Sequence, residues 1–377
     1  MSRIQGRADV VIVGGGVIGS AAAWRLAERG RSVVLLEQFD PGHRHGASHG
    51  SSRIYRQAYD GEFYTGLAAR ALPLWRALED TTDTPVLTLT GAVDHGLPAA
   101  LAAKANALAA LGIPHELLDP VEAGRRWPGI RFDTRVLYHP DAGRLHADRS
   151  VQALNRAAAD AGADIRHGVA VHGIESTATG VEVVTDGKAI PAAHVVVAAG
   201  AWTRSLIADA QLDAVPELPR LRTTQEQPAH FLPLTADDWP SFVHHRGAGL
   251  TGEGIYGLGS DDGIKIGEHG TGPVVDPEMR DYTPDPAGVA RLVDYAAAWL
   301  PGVDLDSVTA DTCLYTTTPD SNFVVDRVGD VTVAAGFSGH GFKFAPVIGE
   351  LVADLADGTT RTFEAFRFGA RQAVAAR

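Results

Sequence analysis

The first 37 residues constrain this chain more than any other part of it. Ala8-Asp-Val-Val-Ile-Val-Gly14-Gly15-Gly16-Val-Ile-Gly19 is followed by a second apolar run that ends at Glu37. The pattern reads as strand, glycine turn, helix, strand, acid. Residues 10–13 are β-branched, and Gly14, Gly16 and Gly19 stand at GxGxxG spacing. Ala21, Ala22, Trp24, Leu26 and Ala27 give the following helix an apolar stripe. Each part has a physical task. The first glycine makes the turn, the second lets backbone approach a pyrophosphate, and the third packs helix on strand. The helix N-terminus faces the phosphates. Glu37 stands where an acid binds ribose hydroxyls, which favours an adenosine ribose without a 2′-phosphate. The block predicts an ADP-containing cofactor and leaves NAD and FAD both open.

Bulk properties narrow the rest. A chain of 377 residues buries a substantial core and is expected to hold about two domains. The net charge of −13, with no basic block to offset it, argues against nucleic acid as a partner. No apolar stretch approaches bilayer length, and the glycine turn interrupts the only apolar run near the N-terminus, so neither a membrane span nor a signal peptide is expected. Cys313 is the sole cysteine, which excludes an intramolecular disulfide and fits a reducing cytoplasm.

Hydrophobic periodicity predicts a helix after residue 61, with Phe63, Leu67, Ala71, Leu74, Trp75 and Leu78 on one face and Pro73 disturbing its middle. Beyond it we expect a strand over 86–93, a helix over 98–111 and a helix over 147–161. Strands follow at 165–174, 181–184 and 195–202, then a helix near 285–300. The last 50 residues return to buried strand, glycine turn and helix. The expected fold class is mixed α/β: a Rossmann-like cofactor domain of residues 1–84, 146–212 and 319–377, with an antiparallel-sheet substrate domain of 85–145 and 213–318.

Several groups carry chemistry of more than one possible kind. The turn Gly336-Phe-Ser-Gly339-His-Gly341-Phe-Lys343 offers backbone N–H groups and a helix dipole to an electron-rich ligand, and equally fits an ordinary strand-to-helix turn. Cys313 reads as a small buried hydrophobe, a nucleophile or a cofactor anchor. Lys265 in Gly263-Ile-Lys-Ile-Gly267 alternates with Ile264 and Ile266, the pattern of a solvated lysine on a half-buried strand. Arg53 and Arg56 fit surface charges as well as site residues. His43, His45 and His49 lack the carboxylate or cysteine pattern that completes a metal site, and no metal is assigned.

Taken together, the separated motifs resemble the monomeric sarcosine oxidase and N-methyltryptophan oxidase family of D-amino-acid-oxidase-like flavoproteins. They are the Gly14–Glu37 block, Gly46-Ala-Ser-His-Gly-Ser-Ser-Arg53-Ile-Tyr-Arg56-Gln-Ala-Tyr59, Arg126-Trp-Pro-Gly129, Ala199-Gly-Ala-Trp202, Ile264-Lys-Ile-Gly-Glu-His269, Thr312-Cys-Leu-Tyr315 and Gly336-Phe-Ser-Gly-His-Gly-Phe-Lys-Phe344. The resemblance implies FAD, held by Gly14, Gly16, Val17, Ile18, Gly19, Glu37, Ser52, Arg53, Val171, Gly200, Trp202, Gly336, Phe337, Gly339, His340, Gly341 and Lys343. It implies a thioether from Cys313 to the isoalloxazine 8α-methyl. Arg56 and Lys343 match the pair that grips a substrate carboxylate, and Lys265 matches the lysine that activates oxygen, with Arg53 close to the flavin. His269, Tyr256 and Tyr315 match residues lining the substrate cavity.

The implied activity is oxidation of a secondary amine of an amino acid, sarcosine-like or N-methylated, to an imine, with O2 reduced to H2O2 by a cytoplasmic monomer. A fructosyl-amino-acid oxidase, a flavin dehydrogenase and a non-catalytic flavin-binding protein of the same fold are the alternatives. Two departures stand out. Ser52 replaces a threonine of the relatives, and residues 244–253, which lead to Tyr256, form a longer and more polar segment that leaves the amine's identity open.

Overall fold

The computed structural model describes residues 6–209, 218–236, 238–246 and 254–370. Its first sheet is built from short Val/Ile/Leu runs that are buried on both faces, the composition a parallel sheet demands. Five strands run parallel in the spatial order Val331–Ala335, Ile190–Val197, Ala8–Val13, Val33–Leu36 and Asp164–Arg166, with Val324–Val328 antiparallel at the edge. The strand order reverses at Ala8–Val13, so a crevice opens beyond the carboxyl ends of that strand and of Ile190–Val197. Helices Val17–Glu28, Glu62–Thr82, Ala147–Asp160 and Ala345–Asp357 cover one face around Trp24, Trp75 and Phe344. Gly349 allows two of these helices to touch: a Cβ there would lie 2.7 Å from the carbonyl carbon of Ala21. The hairpin of Val171–Thr177 and Gly180–Thr185 closes the other face together with helix Thr203–Asp209.

A second sheet of eight strands lies beside the first. Its order is Val303–Ala310, Pro228–Pro233, Gly263–Glu268, Ile255–Ser260, Ser241–His245, Ala92–Gly96, Val136–His139 and Glu116–Leu118. Every pairing is antiparallel except Ser241–His245 on Ala92–Gly96. Phe231, Phe242, Ile266 and Leu292 form its core under helix Pro286–Trp299, which Asp285 caps through the amides of Ala287 and Gly288. Two small sheets connect the large ones: the ribbon Arg222–Glu226 with Cys313–Thr317, and Gly143–Leu145 flanked by Arg53–Tyr55 and Leu87–Thr88.

The helices over 98–111, 147–161 and 285–300 form as expected. Other expectations fail for local reasons. The strand over 86–93 is two strands, because Gly91 turns the chain at φ +72°. The stretch 165–174 divides likewise at Gly168, φ +68°, whose neighbour Val169 donates to the Glu37 carbonyl at 2.9 Å. The buried strand expected over 195–202 stops at Val197 and becomes a 3-10 turn, Gly200–Trp202. Helix Glu62–Thr82 runs through Pro73, which is exposed, so water can take the carbonyl that lacks its amide. Phe63 lies off the buried face and Leu74 is only half-buried. Among the described residues no helix is long and apolar enough to cross a membrane.

Candidate active site

One cavity of about 1260 Å³ runs from the crevice of the first sheet to the inner face of the second. Every candidate residue borders it except Gly19. Gly19 acts at one remove: a Cβ on it would collide with the carbonyl oxygen of Gly14, so its hydrogen sets how closely helix and turn approach. Gly14 itself has φ +106° and faces the Ala198 carbonyl, where a side chain has no room. Gly16 caps helix Val17–Glu28 without a side-chain bond, and no acid stands in the first turn, leaving the amide end suited to an anion. Glu37, buried at the end of Val33–Leu36, accepts from the Gly15 amide at 2.8 Å and the Phe39 amide at 3.0 Å. Val171, Gly200 (φ +54°) and Trp202 line the same end, with Trp202 donating to Glu278.

The middle of the cavity is cationic. Strand Gly263–Glu268 does alternate, with Ile264 and Ile266 in the core, but its other face is not solvent. The loop around Ser52 covers it, so Lys265 is only 8% exposed, with Nζ 3.5 Å from the Ser52 carbonyl. The surface reading of Lys265 is therefore wrong. Burial, with Arg53 adding repulsion, pushes its ammonium down to about 7. Arg53 is tied in place by three carbonyls, those of Ala47, His49 and Ser52, each at 2.8 Å. Cys313 begins the strand Cys313–Thr317 beside them. Burial pushes its thiol up, while Arg53 and Lys265 pull it back.

At the far end Arg56 and Lys343 converge on Tyr59. The Arg56 guanidinium lies 4.8 Å from the Tyr59 ring centre, and Lys343 Nζ donates to the Tyr59 hydroxyl at 2.8 Å and the His340 carbonyl at 2.9 Å. Arg56 Nη1 donates to the Ala58 carbonyl at 2.9 Å and to Asp94 at 3.3 Å. Lys343 is 6% exposed, and its backbone carbonyl accepts from Trp75 Nε1.

Tyr256 and Tyr315 both border the cavity, and burial raises both phenols. The His269 ring lies tilted against Tyr315, with ring centres 5.1 Å apart. Gly339 and Gly341 exist for the rings next to them: a Cβ on Gly339 would strike Tyr315, and one on Gly341 would lie 2.5 Å from Phe337. Gly336 has φ +65°, and Ser338 is held at φ +49° by bonding the Thr316 carbonyl through its amide at 2.9 Å. Burial pushes His340 down to about 3, so it is neutral.

Sequence reasoning passed over several contributors. Ser48 accepts from the Val17 amide at 3.1 Å, and its only sequence signal was a serine in a glycine-rich loop. Glu226, 1% exposed, organises the turn at Thr271 and Gly272 through two 3.2 Å bonds. Asp94 lies in a segment with no motif, and His245 in the polar stretch 244–253 without a role of its own. The part of the polar stretch at 247–253 lies outside the described residues, as does the expected boundary at 212–213.

The wall fits an FAD. The cradle has no room for a Cβ at Gly14 or Gly19, Glu37 is presented where ribose hydroxyls bond, and the cavity is long enough to pass from that end to the cations. Ser52 Oγ and both ring nitrogens of His49 are buried on this wall without a hydrogen-bond partner among the described residues.

Comparison with known proteins agrees with this geometry. The FAD dependent oxidoreductase family matches residues 9–355. Monomeric sarcosine oxidase of Streptomyces avermitilis is 36% identical over 367 residues, covering 93% of this chain and 94% of that protein. N-methyl-L-tryptophan oxidase of Salmonella enteritidis PT4 is 31% identical over 372 residues, covering 94% and 96%. Among solved structures, NikD, an unusual amino acid oxidase essential for nikkomycin biosynthesis, superposes in its open form with a TM-score of 0.82 at 27% identity, covering 95% of this chain and 96% of that one. With its glycine cradle, acid-terminated second strand and end-to-end match, the chain belongs to the family of FAD-dependent oxidoreductases.

Proposed function

We propose that this chain is an FAD-dependent oxidase of amino acids carrying a secondary amine, sarcosine-like or N-methylated, and that it works as a cytoplasmic monomer. The observation that carries the reading is the convergence of Arg56 and Lys343 on Tyr59, in the same cavity as Lys265, Arg53 and Cys313. A guanidinium grips a carboxylate through two parallel bonds, and a second cation fixes its orientation. Clamping the carboxylate places the α-nitrogen and its N-methyl carbon in a repeatable position, which is catalysis by orientation. FAD held by these residues would supply a two-electron acceptor between the amine and O2, so that the products would be an imine and H2O2.

The remaining roles belong to the chain's own groups. Gly14, Gly16, Val17, Ile18, Glu37, Val171, Gly200 and Trp202 hold the ADP half. Ser52, Gly336, Phe337, Gly339, His340 and Gly341 hold the ring system. Cys313 carries the thioether link to the cofactor; burial raises its thiol, and Arg53 and Lys265 offset part of that rise. Lys265 stabilises negative charge that develops on oxygen. Tyr256, Tyr315 and His269 shape the pocket around the N-substituent. In the proposed division, residues 1–84, 146–212 and 319–377 bind the cofactor, and residues 85–145 and 213–318 bind the substrate.

Arg56→Met tests the reading. The expected result is a fall of about a thousandfold in kcat/KM for N-methyl amino acids, with KM carrying much of it. A variant that keeps KM and kcat within about threefold of the parent removes the carboxylate clamp from the account.

A further inference from the structure

Asp94 lies directly behind Arg56. It occupies the middle of strand Ala92–Gly96, paired with Val243 on the parallel strand Ser241–His245, and is fully buried. A single oxygen, Oδ1, accepts from Arg56 Nη1 at 3.3 Å and meets His245 Nε2 at 2.7 Å. The other oxygen, Oδ2, has no hydrogen-bond partner among the described residues. Burial works against the charged form, yet the bond to His245 and the charge of Arg56 outweigh it and hold the carboxyl well below its usual range. His139, packed on the same strand, is pushed down to about 4 by burial and stays neutral. Asp94 is thus a buried anion, and Arg56 supplies a counter-charge to it.

We propose that Asp94 is a positioning counter-charge that sets how tightly Arg56 binds the substrate carboxylate, with His245 occupying part of its hydrogen-bonding capacity. The proposal rests on the carboxylate-gripping role given to Arg56 above. Asp94 and a substrate carboxylate are two anions drawn to one guanidinium, and in a water-poor site the fixed one opposes the arriving one. The benefit is kinetic. The product retains the same carboxylate, so an unopposed Arg56–Lys343 pair would hold substrate and product equally hard, which lowers KM without raising kcat. His245 draws on the same oxygen, so it limits how firmly Asp94 holds Arg56 back.

Calorimetric titration of the flavin-loaded enzyme with methoxyacetate tests this, because that probe has the carboxylate and no oxidisable amine. Methoxyacetamide is its uncharged counterpart. Asp94→Asn keeps an acceptor oxygen and removes the charge; it is expected to tighten methoxyacetate about tenfold and to leave the amide within about twofold. His245→Phe leaves Asp94 to Arg56 and is expected to weaken methoxyacetate about threefold. Unchanged or weaker methoxyacetate binding by a folded Asp94→Asn overturns the proposal, and so does an equal change for both probes, the mark of a merely structural residue. If Asp94→Asn does not fold, His245→Phe decides: selective weakening of the acid upholds the proposal and no change overturns it. Arg56→Met in the same titration separates the two levels. If it erases the parent's preference for acid over amide while Asp94→Asn fails, only the counter-charge falls. If the preference survives Arg56→Met, the carboxylate clamp falls and the counter-charge with it.

Discussion

The two ends of the cavity are built on opposite principles. At the Gly14–Glu37 end the ligand is met by backbone: glycines without Cβ atoms, a helix start whose own cap residue has no side chain, and one acid that is itself held by amides. At the other end it is met by charged side chains delivered from distant parts of the sequence. Arg53 comes from the start of the short strand Arg53–Tyr55, Arg56 from just past its end, Lys265 from the second sheet, Cys313 from a connecting ribbon and Lys343 from the last strand-to-helix turn. The first end has no space for a Cβ at Gly14 or Gly19. The second tolerates changes of shape and depends on charge. A binding frame and a reaction centre thus share one cavity while being sensitive to different kinds of substitution.

That contrast breaks most sharply at Gly19. Gly19→Val forces a side chain into the Gly14 carbonyl, and the expected outcome is protein that fails to retain flavin or fails to fold, read by visible absorbance of the purified chain and by its yield. Normal flavin content in a folded Gly19→Val would show that the frame is looser than described. Lys265→Met comes next, on the charge-dependent side. Reoxidation of reduced enzyme by O2 is expected to slow about a hundredfold, while reduction by amine stays within about threefold. The pH dependence has a definite sign. The charged ammonium is the helpful form and burial pulls its pKa down to about 7, so the reoxidation rate falls as pH rises through that region; Lys265→Met is flat there. Equal losses in both half-reactions would remove the assigned role. The smallest effect is on Cys313→Ser, expected to bind flavin, to release it on acid precipitation and to lose about tenfold in amine oxidation. Parent enzyme that also releases its colour in acid would contradict the thioether.

How much of this was readable in advance follows from the same contrast. The Gly14–Glu37 end was legible because every part of it is contiguous and each glycine has a backbone reason. Fold class and the long helices were legible from periodicity for the same cause: neighbours in sequence decide them. Lys265 was not, because alternation on a strand says which residues share a face and nothing about what covers it. Only the folded Ser52 loop makes the outer face an inner one. Arg56 and Lys343 were legible only by resemblance, since 287 positions separate two cations that share one tyrosine. Asp94 had no signal at all, and His245 had only that of the polar stretch 244–253. Their meeting depends on the parallel pairing of Ala92–Gly96 with Ser241–His245, a register set by the whole sheet.

The measurement that bears most directly on the central claim is anaerobic mixing of the yellow enzyme with a panel of N-methyl amino acids, followed by admission of O2. The account predicts loss of the oxidised flavin absorbance with at least one carboxylate-bearing secondary amine, then its full return in oxygen with one H2O2 formed for each amine consumed. Absorbance that no amine in the panel bleaches, or that stays bleached in oxygen, would contradict it.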